Sequence, residues 1–404
     1  MIGNSLSQAI GKSAFNRFFR SMEAGIGFGQ LDVTLPDGSV HTAKGKQAGP
    51  HAVVSLHSWG AIPRIAGGGE LGLAEVYMDG LIETDDLKDL MDWALTNQEW
   101  FITHMRTYGW TGVLARIFHY LRPNSKGGSR KNISEHYDLG NAFYSQWLDN
   151  SMTYSSAVFD GSNSDDLYAA QQEKYKRIAE TAQMKPGDHV LEIGCGWGGF
   201  AEYAVKNVGV NMTCITISQE QHDFAAARFQ REGISDKIEL RLQDYRDTEA
   251  GRYDRVASIE MIEAVGEQYW DTYFGQIAKV LKPGGTAAIQ AITIPDDKFE
   301  EYLSQVDFIS RYIFPGGRLM SHSKMKECTE RAGMVYQASG EYAKSYAKTL
   351  LQWNDKFQDA WAKIKTMGFD DRFKRMWEYY LIHCSVGFDF DQIGVAQVRL
   401  VKPA

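Results

Sequence analysis

The run Glu192-Ile-Gly194-Cys-Gly196-Trp-Gly198-Gly199 sets four glycines close behind the apolar stretch HVLEI (189–193) and just ahead of a helical stretch. Glycine at a strand-to-helix turn lets backbone amides approach a ligand closely and accepts positive φ. A dinucleotide fold would read GxGxxG, aiming a helix amino terminus at a pyrophosphate; this run reads GxGxGG. The next strand ends Thr216-Ile-Ser218, without the acid that grips a dinucleotide ribose. Asp244 follows the third strand, and Lys282-Pro283-Gly284-Gly285 precedes the fifth. Together these features favour S-adenosylmethionine over a nicotinamide dinucleotide. Plainer roles stay open. Ser218 and Gln221 have helix-capping spacing, Asp244 fits a loop or cap, and Tyr245 fits a buried ring as well as one face of an adenine sandwich.

Those residues need a scaffold. HVLEI, NMTCITI (211–217), IELRL (238–242), YDRVASI (253–259) and TAAIQAITI (286–294) read as strands, with Met334–Ser339 and Val395–Val401 as two more. Helical stretches lie between them, among them 219–233 and 268–285, the latter expected to stop at Pro-Gly-Gly. Strands alternating with helices imply a doubly wound, mostly parallel sheet covered on both faces. Residues 1–122 differ, combining an amphipathic start (Phe15, Phe18, Phe19 and Met22 beside Lys12, Arg17 and Arg20), the hairpin-like LDVTLPDGSVHTA and further helices. RPNSKGGSRKN reads as a linker. The expected division is a smaller amino-terminal α+β domain, 1–122, associated with lipid, and a catalytic domain, 123–404.

Across 404 residues the formal net charge is −8, which argues against general nucleic-acid binding. Its distribution is uneven. From Trp100 to Ser134 there is no Asp or Glu, while Arg106, Arg116, Arg122, Lys126, Arg130 and Lys131 alternate with aromatics. Such a mixture suits an anionic lipid surface, at about 1 kcal/mol per cation, and equally suits a helix pair with inward aromatics. No apolar run approaches the ~20 residues of a membrane span, and the first residues lack a secretory pattern. Cys195, Cys214, Cys328 and Cys384 are scattered, predicting reduced thiols and no metal site. The expectation is a cytoplasmic protein peripherally bound to the inner face of the cell membrane. Residues 295–324 hold Phe299, Tyr302, Leu303, Phe308, Ile309, Tyr312, Ile313 and Phe314, too apolar for a plain surface loop, and are read as a lid over an acyl chain.

EHYDLGNAFYSQWLD (135–149), VLEIGCGWGGFAEYA (190–204), SIEMIEAVGEQYW (258–270), YIFPGGRL (312–319) and GVAQVRL (394–400) make the chain resemble the cyclopropane-fatty-acid synthase family of class I methyltransferases, which includes mycolic-acid methyltransferases. GELGLAEVYMDG (69–80) resembles the amino-terminal domain of its phospholipid-acting bacterial members. The resemblance implies a Rossmann-like sheet of seven strands, S-adenosylmethionine as cofactor, unsaturated acyl chains of phospholipids as substrate, and a homodimer. Position by position it places Tyr137 and Ser155 over the methionyl part, Gly194, Gly196 and Gly198 in the cofactor loop, Thr216 and Gln221 at the ribose, and Asp244 and Tyr245 at the adenine.

In that family the final proton is taken by a bound bicarbonate, held by a Cys, a Glu, a His, the backbone near an Ile, and a Tyr. Glu263, Ile292 and Tyr346 match those positions, but Ser156 stands at the Cys position and Gln290 at the His position. Gln cannot become a cation or shuttle a proton at neutral pH. Two outcomes follow: an ordinary cyclopropane synthase with conservative replacements, or a member that resolves the cation to a methyl-branched olefin or forms a diene, as in furan-fatty-acid assembly. In the second, Glu263 is the expected base, oriented by Tyr346. A small-molecule methyltransferase and a non-catalytic lipid carrier are the readings from other classes.

Overall fold

The computed structural model describes residues 2–105, 139–161 and 165–404. In the amino-terminal part, β1 (Phe28–Thr34) pairs antiparallel with β2 (Val40–Lys44) across the expected turn, where Gly38 takes φ +81°. β3 (Gln47–Leu56) runs parallel to β1 and β4 (Ile82–Thr84) antiparallel to β3, giving the order β2-β1-β3-β4. The amphipathic start is a helix, Ile2–Gly25, that buries Phe15, Phe19 and Met22. Helices Ala61–Met78, Leu87–Thr96 and Gln98–Met105 complete this part.

The second sheet comprises β5 (His189–Ile193), β6 (Asn211–Thr216), β7 (Ile238–Leu242), β8 (Tyr253–Ile259), β9 (Leu281–Thr293), β10 (Val335–Glu341) and β11 (Gly394–Val401). Its order is β10-β11-β9-β8-β5-β6-β7, parallel from β9 to β7, with β11 antiparallel to both of its neighbours. Side chains alternate between faces along a strand. Leu191 and Ile193 of β5 therefore join Trp270 and Phe274 on one face, while Val190 joins Tyr175 and Phe229 on the other. Burial on both faces explains why the central strands β5 and β6 read as largely apolar runs, whereas the edge strands β7 and β10 are more exposed.

One expected boundary shifts. The helix Trp270–Val280 ends before Pro-Gly-Gly, and β9 begins at Leu281. Leu281 already pairs with Tyr253, and the register break between Tyr253 and Arg255 absorbs the intervening turn.

A third core joins the two parts. Helices Ala343–Lys365 and Asp371–Asp389 bring Trp353 and Trp377 against Phe143 and Trp147, in a cluster that includes Tyr77, Leu90 and Trp93. Polar links reinforce the contact: Arg372 to Asp79 at 3.0 Å, Arg375 to Glu83 at 2.9 Å, and the Tyr312 hydroxyl to Glu75 at 2.7 Å. Trp100 and Phe101, from the basic aromatic stretch, face inward as well. Trp100 stacks on His104 at 4.4 Å and meets Phe18 edge-on, so neither ring is free for a lipid surface. The stretch from Arg106 to Ser134, with all six of its cations, lies outside the described residues. Among those residues no helix is long and apolar enough to cross a membrane.

Candidate active site

β5 is flanked by β6 on one side and β8 on the other, so strands are added outward through β6 and β7 on one side and through β8 and β9 on the other. A crevice opens at the carboxyl ends of strands where the order reverses. Gly194 follows β5 there and Glu260 follows β8. Both line a cavity of about 690 Å³, in the size range of small-molecule sites.

Gly194, Gly196 and Gly198 take φ of +80°, +51° and +83°, which side chains rarely adopt. Their surroundings differ. A Cβ at Gly194 would sit 2.8 Å from Met261, and one at Gly198 would sit 2.7 Å from the Phe229 ring. At Gly196 no atom lies within 4 Å of that position, and the residue lines the cavity. The turn thus has an open floor over which a nucleoside-bearing ligand fits.

Thr216, Gln221, Asp244 and Tyr245 line the same cavity, as does Ser155. Ser218 caps its helix through the Gln221 N–H at 3.3 Å, while the Gln221 side-chain oxygen accepts from Thr216 at 2.9 Å. Capping and cavity placement therefore coexist at Gln221. Asp244 binds the Arg246 guanidinium through both oxygens, at 2.8 and 2.6 Å, and Arg246 lies over the Tyr245 ring. Ser155 accepts from the buried Lys174 ammonium at 2.7 Å. Tyr137 lies outside the described residues.

Apolar side chains also line the cavity, beside charged ones such as Glu70 and His383. Leu73, Met91, Ala94 and Leu95 come from the amino-terminal part, and Leu350 and Phe388 from the late helices. Residues 295–324 supply Tyr302, Ile309 and Phe314 together with the polar Lys298, Glu301, Gln305, Asp307 and Arg318, while Phe299 and Phe308 are buried. Tyr154, Phe314, Tyr346 and Tyr380 gather beside Glu260; the Tyr154 and Tyr380 hydroxyls meet at 2.9 Å, and Tyr346 stacks on Phe388 at 4.6 Å. Aromatic faces favour a nearby cation.

The residues expected around an anion come together, but around a carboxylate that the sequence did not single out. Glu260 Oε1 accepts from the Ser156 N–H at 2.8 Å and from Gln290 Nε2 at 2.7 Å. Glu260 Oε2 accepts from the Tyr346 hydroxyl at 2.8 Å. Gln290 is held in this orientation by Gln397, which donates to its oxygen at 3.0 Å. Ser156 turns its own hydroxyl to the Ala157 carbonyl. Glu260, Glu263, Ile292 and Tyr346 line the cavity, whereas Ser156 and Gln290 stand behind Glu260.

Tyr346 therefore orients Glu260, not Glu263. Glu263 Oε1 takes the Ile292 N–H at 2.6 Å, and its Oε2 is buried without a partner. Burial, and then the neighbouring Glu260, push the Glu263 carboxyl up to about 8. Burial also raises Glu260, against its three hydrogen bonds and the Lys174 charge. Burial brings Lys174 down to about 7, against the attraction of Glu260, Asp149 and Glu192. The Glu263 carboxyl is thus mostly protonated at neutral pH.

A stability prediction follows from that assignment. The Glu263 carboxyl ordinarily titrates near 4.5, so from there to about 8 the native state binds more protons than the unfolded chain. Its contribution falls as pH rises through that window, by up to a few kcal/mol. E263Q has no such titration. Its melting temperature is expected to gain on the parent between pH 5 and pH 8, and the difference to stay flat above. Parallel curves across that range would contradict the assignment.

The chain is similar to several known proteins. The family model for mycolic acid cyclopropane synthetase matches residues 124–398. The cyclopropane-fatty-acyl-phospholipid synthase of Escherichia coli (strain K12) is 38% identical over 343 residues, spanning 83% of this chain and 84% of that protein. The tuberculostearic acid methyltransferase UfaA1 of Mycobacterium tuberculosis is 34% identical over 347 residues, spanning 84% of this chain and 80% of that protein. Among solved structures, mycolic acid cyclopropane synthase CmaA1 complexed with SAH and CTAB superposes with a TM-score of 0.62 at 27% identity, covering 68% of this chain and 98% of its own.

Proposed function

Because the chain belongs to the mycolic acid cyclopropane synthetase family, we propose that its substrate is an unsaturated acyl chain still esterified in a membrane phospholipid, presented to a peripherally bound enzyme. The chain is an S-adenosylmethionine-dependent transferase that modifies unsaturated lipid acyl chains. The observation that carries the reading is one cavity lined both by the open glycine turn and by apolar side chains from both parts of the chain. The similarity to the phospholipid synthase extends over 83% of the chain, beyond the family model, which begins at residue 124.

When bound, the cofactor supplies an electrophilic methyl group on a sulfonium. The protein's part is positional. The glycine turn, Thr216, Gln221, Asp244 and Tyr245 would hold the nucleoside, and Ser155 would meet the methionyl part. Leu73, Met91, Ala94, Leu95 and Leu350 would align the acyl chain so that its double bond meets the methyl. An alkene is a weak nucleophile, so alignment and exclusion of water carry much of the catalysis. The aromatic group of Tyr154, Phe314, Tyr346 and Tyr380 lowers the energy of the cation left on the neighbouring carbon. Residues 295–324 close the acyl side as a lid.

A test is turnover of one unsaturated acyl chain in three forms: phospholipid vesicles, free acid and acyl thioester. Vesicles are expected to be the preferred form, with activity rising as anionic lipid is added and falling with salt. Preference for the thioester or free acid would refute the phospholipid assignment.

A further inference from the structure

Bicarbonate is the base that the family resemblance implies, and the residues here do not fit it. Its expected donors are already spent. The Ser156 N–H, Gln290 Nε2 and the Tyr346 hydroxyl all point at Glu260, and Glu260, not an open pocket, meets the cavity in front of Ser156 and Gln290. The backbone carries a second sign. Glu260 takes φ +48°, a left-handed conformation that disfavours side chains, and its N–H is tied to the Gln290 carbonyl at 2.8 Å. A strained residue whose side chain is held by three separate segments is the kind of outlier found at functional sites.

Resting on the acyl-chain reading above, we infer that the Glu260 carboxylate is the resident base of this enzyme, taking the place of an exogenous anion. The alkene π pair forms the new bond to the transferred methyl carbon, and sulfur keeps the electrons of the C–S bond that breaks. The alkyl cation then loses one proton to Glu260. The C–H electron pair left behind closes a three-membered ring or a double bond, and the proton passes from Glu260 to solvent after product leaves. Oε2 is the receiving oxygen, because Oε1 already accepts two hydrogen bonds and Oε2 only one. The groups facing this carboxylate are Lys174, Glu263 and Tyr346. Burial raises this carboxyl and so makes it a stronger base, while Lys174 and the three donors act in favour of its ionised form; the mostly protonated Glu263 adds little competing charge. Gln290, which cannot carry a proton away, suits a site in which the base is part of the chain.

Two measurements test this. First, the full-length protein saturated with S-adenosylhomocysteine is titrated with sodium [13C]bicarbonate and followed by 13C NMR, without any lipid. The parent is expected to show no bound signal. E260G frees the three donors and puts glycine at a positive φ that suits it; it is expected to bind the anion. Second, turnover of unsaturated phospholipid vesicles by the parent is expected to be equal in CO2-free and bicarbonate-supplemented buffer. E260Q is expected to lose roughly a hundredfold in turnover with cofactor affinity unchanged, and E260G to recover activity as bicarbonate is added. Bicarbonate bound to the parent, bicarbonate-dependent parental turnover, or full activity in E260Q would overturn the inference. A parent that ignores the vesicles defeats the phospholipid reading alone, since the lipid-free titration still decides the role of Glu260.

Discussion

Valine at position 196 is expected to lower affinity for S-adenosylmethionine at least about a thousandfold, or ~4 kcal/mol, while the protein stays folded. The empty surroundings of the Gly196 Cβ position are the reason. A Cβ there meets no protein atom within 4 Å, and the branched side chain extends into the space proposed for the ligand. The φ of +51° costs roughly 1–2 kcal/mol for a side-chain-bearing residue, which lowers the melting temperature without unfolding the sheet. The neighbouring glycines make poorer tests, since side chains at 194 and 198 would strike Met261 and Phe229 and disturb the core. Calorimetric titration beside a melting curve separates the two effects. Retained affinity in a folded G196V protein would remove the glycine turn from the cofactor site.

The opposite end of the cavity predicts the complementary defect. Ala94, half-buried on the helix Leu87–Thr96, shares the apolar wall with Leu73, Met91 and Leu95. A94W would fill that end. Excluding about five methylenes from burial costs ~4 kcal/mol at ~0.8 kcal/mol each, so turnover of long-chain substrate is expected to fall about a thousandfold. Cofactor affinity should be unchanged, and shortened acyl chains should recover activity because they stop before the obstruction. Equal loss for short and long chains would show that the acyl chain does not run toward this wall.

Much of the scaffold was legible because buried parallel strands leave a plain trace. HVLEI, IELRL and YDRVASI are β5, β7 and β8 residue for residue, the first followed at once by Gly194 and the last by Glu260. The glycine turn was legible for a related reason, since positive φ at close spacing nearly requires glycine. The end of the helix before β9 was not, because Pro-Gly-Gly marks a break without saying whether helix or strand surrounds it. Glu260 was the larger omission. SIEMIE offers two acids three positions apart, and nothing local says which one turns to the cavity. Its donors come from residues 156, 290 and 346, brought together only by tertiary packing. The available signal was position: a charged residue directly after the strand end Val256-Ala257-Ser258-Ile259, at the edge where parallel sheets bind ligands.

The cofactor turn and the apolar side chains line one cavity, so a carbon is expected to pass directly between the molecules they hold. Incubating the protein with S-adenosylmethionine labelled with 13C in its methyl group, and with vesicles of unsaturated phospholipid, tests this in one step. Mass spectrometry of the recovered acyl chains is predicted to show one labelled carbon, located at the former double bond. Label appearing in a headgroup or in a water-soluble product, with the acyl chains unchanged, would contradict it.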